Sequence, residues 1–220
     1  MNKEQFVDFF LNRLEIGFAE KNAKEIQRQN LQELLMNVLR DFILFDPKNP
    51  EFQSDEYNYV RIKKKTEREQ NAFRCAYLFE TLYFKDKQIL FFLKDDFAKL
   101  FASVTNESMK RHFGKIVTDL LKNDILTFSE SDYELLAQTA AAWAVAPRVR
   151  VAVQIWAFEI LALLRNKAKI DEETIGYLLE IFSQDSSPAM KSRLKRWKKR
   201  GLFHNVFFIF SPAIKKRKIN

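Results

Sequence analysis

The chain has 220 residues, of which 47% are hydrophobic and 22 are phenylalanine, so it is long and apolar enough to bury a core. It carries 37 Lys or Arg and 29 Asp or Glu, which gives a formal net charge of +8. Only four glycines and five prolines are present, which argues against a turn-rich all-β fold. The composition therefore excludes a disordered chain and favours long helices.

Two amphipathic segments open the chain. Phe6, Phe10 and Leu14 are spaced about one helical turn apart, and residues 22–45 have apolar side chains at i, i+3, i+4, i+7 and i+8. Such stripes are typical of helices that bury one face. We expect the two helices to form an N-terminal hairpin over residues 1–45.

The first segment does not have the composition of a secretory signal peptide, because Asp8 and Arg13 interrupt its apolar stretch. No run of eighteen apolar residues occurs, so no membrane-spanning helix is predicted. The single cysteine, Cys75, cannot form an intrachain disulfide, and its apolar neighbours predict a buried, unreactive thiol. A cytoplasmic location is therefore expected.

Residues 46–60 contain two prolines and no apolar stripe, which predicts a linker loop. The charged stretch that follows includes Lys63, Lys64 and Lys65. We expect these lysines to be the solvated first turns of the next helix. A second anion-binding patch is the alternative.

Helix-start signals recur at regular spacing between residues 61 and 200. First helices are predicted to start near Glu107, Pro147 and Pro188, about forty residues apart, each joined by a short turn to a second helix. The clearest pair is PRVRVAVQIWAFEILALL, residues 147–164, followed by DEETIGYLLEIF, residues 171–182. The signals are Asp86, Asn106 and Asp171 as helix caps, Ser131 with Glu134 as a capping box, and Pro147 and Pro188 at first-turn positions.

This period and helical content resemble HEAT and armadillo-type repeats. The resemblance implies an all-α fold, in which a right-handed α–α superhelix of HEAT-like helix pairs follows the N-terminal helical hairpin. It also implies a protein partner on the concave face, where the second helices are acidic. The expected segments are the hairpin at 1–45, the linker at 46–60, HEAT-like repeats at 61–200 and a basic, Phe-rich tail at 201–220.

Residues 151–164 are apolar on nearly every face, which predicts a helix buried on all sides. Glu159 is the acid that interrupts this segment. We expect it to pair with an arginine such as Arg111 or Arg193. A functional acid with a perturbed pKa is the alternative.

The last thirty residues hold eleven Lys or Arg and no acid, whereas residues 1–190 have 26 basic and 29 acidic side chains. Clustered cations are typical of surfaces that bind nucleic acid or anionic membranes. Residues 188–200 are predicted to form a helix with an apolar stripe of Met190, Leu194 and Trp197. A capping helix for the repeats is the structural alternative. The predicted polyanion-binding residues are Lys191, Arg193, Lys195, Arg196, Lys198, Lys199, Arg200, Lys215, Lys216, Arg217 and Lys218.

The sequence shows no pattern typical of catalysis or of metal or cofactor binding. His112 and His204 each lack a Cys or carboxylate at metal-ligand spacing, and no glycine-rich phosphate motif or G-x-S-x-G occurs. Residues 186–191 resemble the signature loop of the fumarase and adenylosuccinate lyase superfamily. That loop is long and contains glycine, so a helix start at Ser187 and Pro188 explains them better.

We therefore expect a non-enzymatic protein without cofactor, metal or small-molecule substrate. It would bind a protein partner, and its basic C-terminal end would bind polyanions. The alternatives are a nucleic-acid or anionic-membrane binder acting through residues 191–220, or a HEAT-like alkylpurine DNA glycosylase. The acidic second helices argue against the glycosylase, because such enzymes grip DNA on a basic concave face.

Overall fold

The computed structural model describes residues 1–199, apart from residues 13, 169, 171, 185 and 186. The described chain is helical without strands, so the predicted all-α class is confirmed. Its described residues form two compact units, one over Met1–Ile116 and one that begins at Val117. The predicted division into hairpin, linker, repeats and tail stays a prediction. The helices are α1 Lys3–Phe6, continued by a π-helix at Val7–Leu11, α2 Phe18–Arg28, α3 Gln32–Leu44, α4 Asn58–Arg61, α5 Lys65–Lys85, α6 Phe97–Ser103, α7 Glu107–Lys122, α8 Glu130–Val145, α9 Val151–Leu164, α10 Glu172–Gln184 and α11 Pro188–Lys199.

In the first unit, α5 is the central helix, and α2 and α3 pack against it. Three phenylalanines join α5, α6 and α7, because the ring centroids of Phe79, Phe97 and Phe113 lie 6.0–6.4 Å apart. All three side chains are fully buried. Each such burial stabilises the fold by about 1.5–3 kcal/mol relative to an exposed ring. This aromatic cluster therefore anchors the three helices to one another.

The single helix predicted over residues 22–45 is wrong, because the chain forms two helices there, α2 and α3. Asn30 adopts the left-handed conformation, with φ of 55°. The N–H of Leu31 then donates to the carbonyl of Ile26 at 2.9 Å, which is the Schellman closure that ends a helix. Asparagine tolerates this conformation better than most residues. The break therefore needs neither glycine nor proline.

The predicted linker, residues 46–60, lies within the first unit. It holds two short 3₁₀ helices, Pro50–Gln53 and Asp55–Tyr57, followed by α4. Phe52 and Tyr59 are buried, and the Tyr59 hydroxyl donates to Asp41 on α3 at 2.6 Å. This segment therefore contributes to the core of the first unit.

In the first unit, the predicted caps Asn106 and Asp86 are confirmed, but the helix predicted to follow Asp86 is interrupted. Asn106 accepts from the N–H groups of Ser108 and Met109, as expected for the start of α7. Asp86 caps the 3₁₀ helix Lys87–Phe92 by accepting from Gln88. The α-helix predicted to start at this cap is therefore wrong, because a 3₁₀ helix follows Asp86 and α6 begins separately at Phe97.

In the second unit, the capping box at Ser131 is wrong by two residues. Ser129 is extended, with φ of −65° and ψ of 162°, and its Oγ accepts from the N–H of Asp132 at 3.1 Å. Ser131 lies inside the first turn of α8, and its hydroxyl lies 3.0 Å from that of Ser129. Of the two serines near the start of α8, Ser129 is therefore the N-cap and Ser131 is not.

The helix start predicted at Pro147 is also wrong, because α9 begins at Val151. Ala146 precedes the proline and is extended, with ψ of 133°, as the proline ring requires. Arg148 then adopts the left-handed conformation, with φ of 62°. Helical geometry can resume only after Arg148, so Pro147 belongs to the turn between α8 and α9.

The most buried helix of the second unit is α9, and both α8 and α11 pack against it. Its Phe158 ring lies 5.3 Å from Phe182 on α10 and 4.8 Å from Trp197 on α11, measured between centroids. The predicted burial of residues 151–164 is therefore confirmed for nine of the fourteen, and the other five are half-buried. Across the described residues, no helix is both long and apolar enough to cross a lipid bilayer.

Candidate polyanion-binding surface

The helix α11 begins as its sequence predicts. Pro188 occupies the first helical position, where its missing N–H would be unsatisfied in any case. The Oγ atom of Ser187 accepts from the N–H of Met190 at 3.3 Å and so caps the helix. The predicted cap Asp171 of the preceding helix lies outside the described residues.

The apolar face of α11 is buried in the second unit. Met190 is 2% exposed and Trp197 is fully buried, and Leu194 between them is half-buried. Trp197 packs on Phe158 of α9, with the ring planes tilted by 31°. The predicted stripe is thus confirmed. Its burial means that α11 has no second apolar face for another partner.

One cation of α11 turns inward. The Nη1 atom of Arg193 lies 3.3 Å from Oε2 of Glu159, and its Cζ atom lies 5.2 Å from the ring centroid of Trp156. This confirms the predicted pairing of Glu159 with an arginine, and the partner is Arg193. Arg193 therefore balances a buried acid, unlike the exposed cations of the same helix.

The remaining cations of α11 face solvent. Lys191, Lys195, Lys198 and Lys199 are spaced i, i+4, i+7 and i+8, so they form one stripe about 12 Å long, with Arg196 beside it. All five residues are exposed, and α11 contains no acid. The predicted residues Arg200, Lys215, Lys216, Arg217 and Lys218 lie outside the described part of the chain.

Helix electrostatics explain only part of this stripe. Cations in the last turn of a helix are stabilised by the helix dipole, and Arg196, Lys198 and Lys199 occupy that turn. Lys191 and Lys195 lie earlier in the helix, where the dipole gives them no such stabilisation. Repulsion between these two lysines therefore destabilises α11, and the helix dipole does not compensate for it.

A buried polar cluster in the first unit could not be expected from the sequence. His112 on α7 is 2% exposed, and its Nδ1 contacts the Oε2 atom of Glu80 on α5. The Nζ atom of Lys115 lies 2.5 Å from the other oxygen of Glu80, and the His112 ring stacks on Tyr77. The only sequence signal is that His112 and Lys115 are one turn apart.

The charges around Glu80 decide its ionisation. Burial alone would raise the pKa of Glu80, but the hydrogen bonds from His112 and Lys115 outweigh it, so the pKa falls below its usual value. Glu80 is thus a carboxylate that joins α5 to α7. In the described residues no three His, Cys, Asp or Glu side chains come together as a possible metal site.

Cys75 also lies in this core. It is fully buried, and burial raises the pKa of its thiol. A thiol that stays protonated and has no access to solvent is a poor nucleophile. The predicted burial of Cys75 is therefore confirmed.

Comparison with family models, with curated proteins and with solved structures finds no match for this chain. The HEAT-like repeat therefore stays a prediction based on helix spacing. Two observations on α11 carry functional information: its apolar face is buried, and its exposed face has charge of one sign.

Proposed function

We propose that this protein is a non-enzymatic, all-helical interaction protein that binds nucleic acid through the cationic stripe of α11. The observation that carries the proposal is the division of α11 into two faces. Trp197 and Met190 anchor the helix to its own unit, and Lys191 and Lys195 face solvent without a stabilising role in the helix. A row of cations on a rigid element fits a row of phosphates.

The burial of the apolar stripe favours nucleic acid over a lipid surface. A helix that lies in a membrane interface inserts an exposed apolar face below the headgroups. In α11 that face is occupied by Phe158 of the same unit. Binding by the lysine stripe would instead be electrostatic, independent of base sequence and strongly weakened by salt.

The finer architecture belongs to the same proposal. We propose HEAT-like helix pairs in a right-handed superhelix, and the packing of neighbouring helices α8 and α9 is consistent with stacked pairs. A protein partner on its concave face and a cytoplasmic location complete the hypothesis. These features rest on the helix spacing and composition of the sequence.

The decisive experiment measures the affinity of the full chain for a fluorescent DNA duplex and a single-stranded RNA between about 50 and 200 mM salt. The test variant is Lys191→Glu with Lys195→Glu. Its matched control is Lys24→Glu with Lys48→Glu, which makes the same charge change at two exposed positions of the first unit.

We expect the test variant to bind at least about tenfold more weakly at low salt, with a salt slope reduced by about two. The control should bind like the unaltered chain. Equal weakening by both variants would show a non-specific charge effect and refute the proposal. Binding to phosphatidylserine vesicles but not to nucleic acid would refute it as well, and release of alkylated bases from DNA would refute its non-enzymatic part.

A further inference from the structure

A cavity of about 350 Å³ lies in the first unit, between the end of α3, the start of α5 and the loop that joins α6 to α7. Its volume is within the range of small-molecule sites. Phe42, Ala72, Val104 and Met109 form an apolar floor, and each is at most 6% exposed. No residue of α11 lines the cavity, so it has no part in the nucleic-acid proposal.

One wall of this cavity is cationic. Lys65 and Arg68 both line it, one turn apart on α5. Lys65 lies 3.9 Å from the carboxylate of Glu69, which also lines the cavity, so this lysine is partly neutralised. Arg68 pairs with no carboxylate in the part of the chain that the structure describes. The uncompensated charge of the wall is therefore that of Arg68.

Neutral groups hold the Arg68 side chain in place. Its Nη1 atom donates to the carbonyl of Lys63 at 2.5 Å, and its Cζ atom lies 4.8 Å from the ring centroid of Phe45, another lining residue. A guanidinium has five N–H donors, and these two contacts leave donors for a bidentate anion. Because Arg68 is half-buried and already oriented, an anion would find its partner organised in advance.

We propose that this cavity binds an amphipathic carboxylate, whose carboxylate meets Arg68 and whose apolar chain or ring covers the floor. A small anion would leave the floor in contact with water, and an uncharged apolar molecule would leave the guanidinium unpaired. Both parts of the ligand are therefore required. The sequence also allowed an anion-binding patch in the lysine-rich stretch. We assign this role to Arg68, because Arg68 lines the cavity, whereas Lys63 and Lys64 do not line it.

The ligand requirement is tested with decanoate on the full chain, carrying ¹³C-labelled methionine methyl groups. Met109 lines the cavity, whereas Met36 and Met190 do not, so a saturable shift confined to Met109 reports binding at this place. Decanol and acetate are the comparison ligands. We expect each to bind at least about tenfold more weakly than decanoate. Absence of a Met109 shift, or equal binding of decanol, would overturn the proposal.

A pair of variants tests the role of Arg68. Arg68→Gln should weaken decanoate binding by about tenfold or more, and Arg68→Lys should weaken it less. Lys64→Gln removes the same charge nearby without altering the cavity wall, and it should bind decanoate normally. Equal loss in Arg68→Gln and Lys64→Gln would overturn the assignment. If Arg68→Gln does not fold, the comparison of decanoate with decanol on the unaltered chain still tests whether the cavity requires a carboxylate.

Discussion

The guanidinium of Arg193 lies 3.3 Å from the carboxylate of Glu159, so the basic helix α11 neutralises the acid within the apolar helix α9. Only 19% of the Arg193 side chain and 7% of the Glu159 side chain are exposed. Removing one partner of a buried pair leaves the other charge uncompensated, which is usually costly. The pair therefore ties the position of α11 to that of α9.

Arg193→Met should lower the free energy of unfolding by about 2–4 kcal/mol, because it removes a charged partner of the buried Glu159 carboxylate. The same substitution should lower stability less in a Glu159→Gln background. Urea unfolding of the unaltered chain, the two single variants and the double variant measures the coupling energy between Arg193 and Glu159. Lys195→Met is the control and should change stability by less than about 0.5 kcal/mol. An Arg193→Met chain as stable as Lys195→Met would contradict the ion pair.

Trp197→Ala should destabilise the second unit by about 3–5 kcal/mol, because it leaves a cavity beside Phe158. Trp197→Phe should cost less, since it keeps an aromatic contact with Phe158. Thermal unfolding followed by circular dichroism measures both changes. A small loss in Trp197→Ala would show that α11 does not depend on this anchor.

The predictable part of the fold is local. The apolar stripe of α3, the all-round apolar surface of α9 and the caps at Asn106 and Ser187 each depend on residues within a few positions of one another. The break at Asn30 and the late start of α9 after Arg148 do not follow from the sequence, because both residues take a left-handed conformation and neither is a glycine.

Of the side-chain contacts described above, too, only some can be predicted from the sequence. A lone acid in an apolar helix requires a cation, so the partnership of Glu159 with an arginine followed from the sequence. The contact of Glu80 with His112 did not, because it joins residues 32 positions apart through helix packing. The cavity beside Arg68 was equally hidden, since it depends on three separate segments.

Acid should weaken the first unit through Glu80. The usual pKa of this group is 4.5, and its folded-state pKa is lower because His112 and Lys115 outweigh the effect of burial. The stability it contributes is therefore fully present above about pH 4.5 and is lost as the pH falls through the folded pKa. Urea unfolding between neutral and acid pH should show this decline.

The same pH series on Glu80→Gln should show a lower stability at neutral pH and a shallower decline towards acid. Glu20→Gln alters an exposed acid and should keep the full decline. If Glu80→Gln and the unaltered chain lose stability in parallel, the coupling of Glu80 to His112 and Lys115 does not stabilise the fold.

Cys75 should resist thiol reagents in the folded protein, because it is fully buried and burial raises the pKa of its thiol. Its labelling rate should rise with urea in step with unfolding, as exposure of the core becomes the limiting event. Colorimetric labelling with a disulfide reagent measures both rates. Fast labelling without denaturant would show that the α5 core opens readily.

The two faces of α11 are constrained differently, because one packs against the rest of the unit and the other is exposed to solvent. Met190 and Trp197 hold the helix in its unit, whereas Lys191 and Lys195 take no part in that packing. Substitutions on the outer face can therefore change the charge of the surface without loss of stability, and substitutions on the inner face are limited by Phe158. The charge of this surface can therefore change in small steps, by evolution or by design, while the fold beneath it stays constant.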